Sequence, residues 1–263
     1  SGKLGAIFNA HTSAYTRRLQ EIAVKETRLG IPLLFGYDVI HGFRTIFPIP
    51  LAESGSFNPS AAEESARIAA KEAAAAGLHW TFAPMVDIAR DPRWGRVMEG
   101  AGEDVYLSNV MAAARVKGFQ GDNLADPFTI LACAKHFAAY GAAQAGRDYH
   151  TVDISERVLR DIYLPPFEAA LDAGVATFMT SFNELDGVPA TGNQHLLTNI
   201  LRDEWGFMGF VVTDYTSINE MVKHGIVADE AAAGELSVEA GVDMDMQGAV
   251  FYNSLSKQVA DGS

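Results

Sequence analysis

Apolar residues fall along the chain in short runs separated by alanine-rich or amphipathic stretches. Seven runs are apolar through most of their length instead of alternating: residues 5–9, 32–38, 80–86, 130–137, 176–182, 210–214 and 242–246. A strand that is apolar on both faces is buried on both, as in a parallel sheet covered by helices. The stretches between these runs have helical length. The one over 59–76 starts with Asn58 as N-cap and Pro59 at the first helical position, and Glu63 and Glu64 lie in or near its first turn. Another, over 155–173, opens on Ser-Glu-Arg and closes at Gly174, which suits a C-cap. Repeated βα units of this kind predict an α/β fold, either doubly wound or closed into a (β/α)8 barrel.

The polar residues at the strand exits separate those two. An open sheet gathers its chemistry at one switch point, whereas a barrel spreads it over the C-terminal ends of many strands. Here the exits carry Asp38, Asp87, Lys135-His136, Asn183-Glu184, Asp214 and Asp243/Asp245. Nearly every run ends in an ionisable group, which favours a barrel. Seven strands are one short of the eight of a TIM-type barrel. The first run opens almost at the start of the chain, so the expectation is a single barrel domain over 1–263 that lacks its first βα unit.

Composition narrows the partners. The formal net charge of −13 repels nucleic-acid phosphates and anionic membranes, so a small neutral or cationic partner is expected. No apolar run approaches the roughly 20 residues of a membrane span. Cys133 is the single cysteine, which excludes an intrachain disulfide and a Cys-based zinc site. No HExxH, P-loop or GxSxG pattern occurs, and no metal or cofactor is expected. The histidines at 11, 41, 79, 150, 195 and 224 are scattered and read as structural or solvated.

Four places carry candidate chemistry. Asp38, in FGYDVIHG, is either a helix cap or a carboxylate that binds a polar ligand at a barrel mouth. RDPRWGR, 90–96, is a loop by its Asp-Pro step. Its arginines either staple the loop to Asp91, or Arg96 offers a fork of donors to vicinal hydroxyls or to a carboxylate. Trp94 either gives an apolar wall for a sugar ring or packs within the loop; Glu103 and Asp104 read as caps of the next helix. Lys135 and His136 are awkward to bury unless they meet a ligand or carboxylates, and a lone Lys there also fits a Schiff-base aldolase. Asp214, straight after the run FVVT, is either a cap or a carboxylate held at the mouth of a site.

YDVIHGFRTIFP, APMVDIARDPRWGRVMEGAGED, KHFAAYGAAQAGRDYHTVDIS, MTSFNELDGVPAT and GFVVTDY follow one another along the chain. Together they resemble the N-terminal catalytic barrel of glycoside hydrolase family 3, and in particular its bacterial periplasmic β-glucosidases. The resemblance covers nearly the whole chain. It implies a retaining, exo-acting β-glucosidase that removes terminal non-reducing glucosyl residues through a covalent glycosyl-aspartate. Asp214 matches the catalytic nucleophile. Asp38, Arg96, Lys135 and His136 match residues that hold the sugar hydroxyls in the −1 subsite. Met179 and Phe182 would line the pocket and Arg90 would belong to the supporting loop, while Glu99, Tyr149 and His150 are further candidates for that neighbourhood. Nearby cations would keep the nucleophile ionised by lowering its pKa. The resemblance also places the acid/base glutamate on a C-terminal sandwich domain that this chain does not contain, and implies a periplasmic or secreted location. Two other readings stand beside it. The β-N-acetylglucosaminidases of the same family take their acid from a barrel loop, where this chain has KHFAAYG and Asp148-Tyr149-His150; a pocket without an acid could also be a non-catalytic sugar-binding barrel.

Overall fold

The computed structural model describes residues 4–262. Six parallel strands form the frame: β1 (Ala6–Phe8), β2 (Leu34–Tyr37), β3 (Trp80–Thr81), β4 (Cys133–Phe137), β5 (Thr177–Thr180) and β8 (Phe210–Val212). A small antiparallel hairpin, β6 (Glu184–Leu185) and β7 (Val188–Pro189), sits on the loop after β5. β1, β2 and β3 pair in that order, and so do β4, β5 and β8. Single parallel bridges join the two sheets at Trp80–Leu131 and Met85–Lys135, and Val212–Met244 adds the last expected strand position. All seven apolar runs therefore take part in parallel pairing. Each regular strand is shorter than its run, and two are cut back most: only Trp80–Thr81 remains of the 80–86 run, and 242–246 pairs through Met244 alone. Pro84, which has no N–H to give a ladder, interrupts the third run.

Side chains alternate across this sheet as the pleat requires. Phe35, Ala134, Phe178 and Val211 pack outward under the helices in the main core. Trp80, Phe82, Cys133, Met179, Val212 and Met246 meet on the inner face. That face curls on itself: the Trp80 ring on β3 lies 5.2 Å from Phe210 on β8, and its indole N–H donates to Thr177 Oγ1 on β5 at 3.0 Å. Among the described residues no backbone pairing joins β1 to the Met244 segment. A concavity of about 810 Å³ lies between them, lined by Phe8, Trp80, Met244, Met246 and Phe251 among others.

The helices are α1 (Ser13–Glu26), α2 (Pro50–Ser54), α3 (Pro59–Ala75), α4 (Val105–Gln120), α5 (Glu156–Val158), α6 (Pro165–Asp172), α7 (Ser217–His224), α8 (Glu230–Ala240) and α9 (Val250–Asp261). α3 begins where the sequence reading puts it, with Asn58 Oδ1 accepting the Ala61 N–H. Its buried stripe is nearly all alanine, and Gly118 lets α4 come so close that a Cβ there would stand 2.5 Å from the Ala66 Cβ. Asp104 caps α4 by accepting the Leu107 N–H at 2.7 Å. The expected helix over 155–173 is not continuous. It breaks into α5, a wide π-type turn (Leu159–Tyr163) and α6, because Pro165 and Pro166 supply no N–H to the ladder.

Candidate active site

The strand exits of β2, β3, β4 and β8 converge on one charged cluster. β4 contributes most. Its register against β5 skips between Lys135 and Phe137, a bulge of the kind that re-aims side chains. Consecutive residues Lys135 and His136 consequently both reach the cluster. Lys135 Nζ donates to Asp38 Oδ1 at 3.1 Å and lies 4.0 Å from Glu99 Oε2. The Lys135 side chain is 3% exposed. His136 points its Nδ1 at Asp87 Oδ2, 2.8 Å away, and its Nε2 at Asp214 Oδ2, 3.4 Å away.

The loop after β3 supplies the arginine. Arg96 sends Nε and Nη2 to Glu99 at 2.6 and 2.9 Å, a bidentate fork, and brings Nη1 to 4.0 Å from Asp214 Oδ2. Both sequence readings of RDPRWGR therefore hold, for different arginines: Arg93 staples the loop to Asp91 on the surface, while Arg96 turns inward. Trp94 is not a wall for a ligand. It is buried, packs 5.2 Å from the Tyr140 ring, and donates its indole N–H to Asp148 Oδ1 at 3.0 Å. Gly141 permits this close packing, since a Cβ there would fall 2.0 Å from the Ile88 carbonyl.

Asp214 follows β8 and is mostly buried, with its side chain 14% exposed. It does not cap α7; its Oδ1 accepts the N–H of Tyr215 at 2.6 Å. Its pKa differs from the sequence expectation. Burial raises it above the ordinary aspartate value, and the Tyr215 N–H, Lys135 and Arg96 only partly offset that. Glu99 behaves oppositely: burial works against its charge, but Arg96 and Lys135 outweigh it and hold the carboxyl below its ordinary value. For Arg96, Glu99 and Asp214 outweigh desolvation and raise its pKa. Asp87 is wholly buried, and burial pushes its carboxyl up to about 7.

Phe182 stands at the mouth, its ring 4.4 Å from Tyr149, beside a concavity of about 270 Å³ that Tyr149, Tyr215, Thr216 and Glu220 also line. Met179 sits lower, in the apolar inner layer and in register with Lys135. Asp243 and Asp245 leave the list of exit groups. Asp243 holds Arg202 and the Val211 N–H, and Asp245 accepts backbone N–H groups at the start of α9. His150 is exposed. Two residues matter more than the sequence suggests, Glu99 and Asp87. Glu99 shows its i, i+3 spacing from Arg96, whereas nothing in the sequence pairs Asp87 with His136. Among the described residues no group of three or more His, Cys, Asp or Glu is arranged to hold a metal.

A carboxylate ringed by an arginine, a lysine and a histidine, with further carboxylates behind them, suits a polyhydroxylated ligand. The family model described as glycosyl hydrolase family 3 N terminal domain matches residues 2–263. The chain belongs to glycosyl hydrolase family 3. A periplasmic β-glucosidase of Salmonella typhimurium is 47% identical over 99% of this family 3 chain and 34% of its own length. A putative β-xylosidase of Formosa agariphila is 37% identical over 93% of the chain and 34% of its own. The crystal structure of β-glucosidase from Listeria innocua in complex with glucose superimposes with a TM-score of 0.95 at 43% identity, covering 98% of this chain and 36% of that one. The chain thus spans about a third of the length of these relatives.

Proposed function

We propose that this domain is the nucleophile-bearing part of a retaining, exo-acting β-glucosidase. One observation carries the reading: Asp214 stands at a strand exit with His136 Nε2 at 3.4 Å and Arg96 Nη1 at 4.0 Å. Its carboxylate attacks the anomeric carbon as the glycosidic bond breaks, giving a glycosyl-aspartate that water then hydrolyses. Asp38, Arg96, Lys135 and His136 hold the sugar hydroxyls, and those bonds accelerate the reaction to the extent that they tighten at the oxocarbenium-like transition state. Phe182 forms an apolar wall at the mouth, and Met179 belongs to the pocket floor.

The proton donor to the leaving oxygen comes from outside residues 1–263, from a C-terminal sandwich domain. The carboxylates beside Asp214 are poor donors. Glu99 is held ionised by Arg96, Asp38 is bound to Lys135, and Asp87 has a suitable pKa but lies buried behind His136. The N-acetylglucosaminidase reading fares worse, since Asp148 is engaged by Trp94 and His150 is exposed. We also place an eighth strand in the seam between β1 and Met244, which would complete a (β/α)8 barrel within a single domain. The likeness to a periplasmic relative favours export, and no described helix is long and apolar enough to cross a membrane. The test compares p-nitrophenyl β-glucoside, β-xyloside and N-acetyl-β-glucosaminide on the full-length protein. The glucoside should have the highest kcat/KM; preference for either other sugar refutes the substrate assignment.

A further inference from the structure

We propose that Asp87 is a positioning residue that fixes the tautomer of His136, with hydrogen on Nδ1, so that Nε2 faces the nucleophile as a hydrogen-bond acceptor. Two groups of His136 converge on one oxygen. Its backbone N–H donates to Asp87 Oδ2 at 2.9 Å, and its Nδ1 lies 2.8 Å from the same atom. An amide N–H can only donate, so Oδ2 accepts it; with Asp87 ionised Oδ2 carries no hydrogen of its own, and Nδ1 must bring one. The other carboxyl oxygen, Oδ1, is buried without a partner.

Nε2 then carries a lone pair. His136 is fully buried, and Nε2 has no hydrogen-bond partner. The nearby carboxylate oxygen, Asp214 Oδ2 at 3.4 Å, is itself an acceptor when ionised. Two facing acceptors cannot satisfy one another, so each needs its own donor, and a sugar hydroxyl can donate to Nε2. The surroundings favour the neutral ring: burial, Arg96 from the loop after β3 and Lys135 on β4 hold the imidazole well below its ordinary pKa. Glu99 is turned to Arg96, and Tyr140 packs its ring against the imidazole at 5.2 Å. Asp87 thus acts on substrate through His136, without touching it.

The tautomer is independent of the glycosidase reading, while its effect on rate rests on that reading. The test uses protein labelled with 15N-histidine, with the His136 signals assigned by their loss in His136→Gln. At about pH 9, where Asp87 is ionised, the wild type should show a protonated Nδ1 and a pyridine-type Nε2. Asp87→Ala should shift His136 toward the Nε2–H form and lower kcat/KM on p-nitrophenyl β-glucoside about tenfold to hundredfold, the range of one lost buried hydrogen bond. Asp87→Asn should restore the wild-type spectrum and most of the rate, because the His136 backbone N–H selects the amide oxygen at the Oδ2 position. A wild-type His136 protonated on Nε2 overturns the proposal, as does an Asp87→Ala variant with unchanged spectrum and rate. Should the alanine variant fail to fold, the wild-type and asparagine spectra decide. A wild type inactive on every glycoside would sink the functional reading and leave the tautomer measurable.

Discussion

Glu99→Gln keeps the shape of a side chain that Arg96 grips with two charge-assisted bonds, and removes its charge. The amide offers one acceptor where the carboxylate offered two, and its NH2 faces a guanidinium donor. About one bond to a charged group is lost, a loss of about 1.5–3 kcal/mol. Both side chains are about a quarter exposed, which places the effect in the lower half of that range. For a chain of this size about 1.5–2 kcal/mol lowers Tm by roughly 3–8 °C. The electrostatic effect has a definite sign. Arg96 Nη1 is 4.0 Å from Asp214, and Lys135 Nζ is 4.0 Å from Glu99. With Glu99 neutral, Arg96 loses its carboxylate partner and Lys135 keeps Asp38 alone, so both cations act more strongly on Asp214 and its carboxyl becomes more acidic. As the proposed nucleophile Asp214 must be ionised to attack, so on that reading kcat/KM falls as pH drops through its pKa in the free enzyme. The acid limb of the profile should therefore move to lower pH in the variant. Thermal unfolding and a pH–rate profile on p-nitrophenyl β-glucoside measure both. An unchanged Tm together with an acid limb that stays put or moves up refutes the reasoning.

Asp87→Asn should gain stability relative to wild type as pH rises from 5 to 8. The folded carboxyl titrates at about 7, above the ordinary value near 3.9, so its favourable proton uptake is complete below about pH 4 and is lost by about pH 7. Asparagine has no such loss, and a Tm difference that is flat or shrinks with pH contradicts the assignment. Phe182→Ala removes a buried ring packed at a tilt against Tyr149 and Tyr140, and should cost about 3–5 kcal/mol in chemical denaturation. A loss under about 1 kcal/mol would mean that the wall at the mouth is not packed as described.

The parallel α/β frame was legible because both-face burial leaves runs that are apolar nearly throughout, and all seven of them pair. The caps Asn58 and Asp104 are readable because a cap is a local bond from a side-chain oxygen to an N–H three residues on. What the sequence hid was spatial. The break before α6 is marked in the sequence by Pro165-Pro166, but the π-type turn that precedes it has no residue pattern of its own. Asp87 looks like any strand-exit carboxylate until His136 is found beside it. Asp214 was expected to be acidified by neighbouring cations, but burial outweighs them, a balance set by depth and not by residue type. Asp243 and Asp245 resemble Asp214 in sequence and turn to backbone N–H groups instead.

The proposed function stands on a covalent bond between Asp214 and the sugar. Incubating the full-length protein with a 2-deoxy-2-fluoro-β-glucoside bearing a good leaving group, followed by peptide mass mapping, tests it directly. The account predicts a fluoroglucosyl ester on Asp214, with turnover lost in parallel, and no adduct in Asp214→Ala. A label on Asp38, Glu99 or any other residue, with Asp214 unmodified, would contradict it.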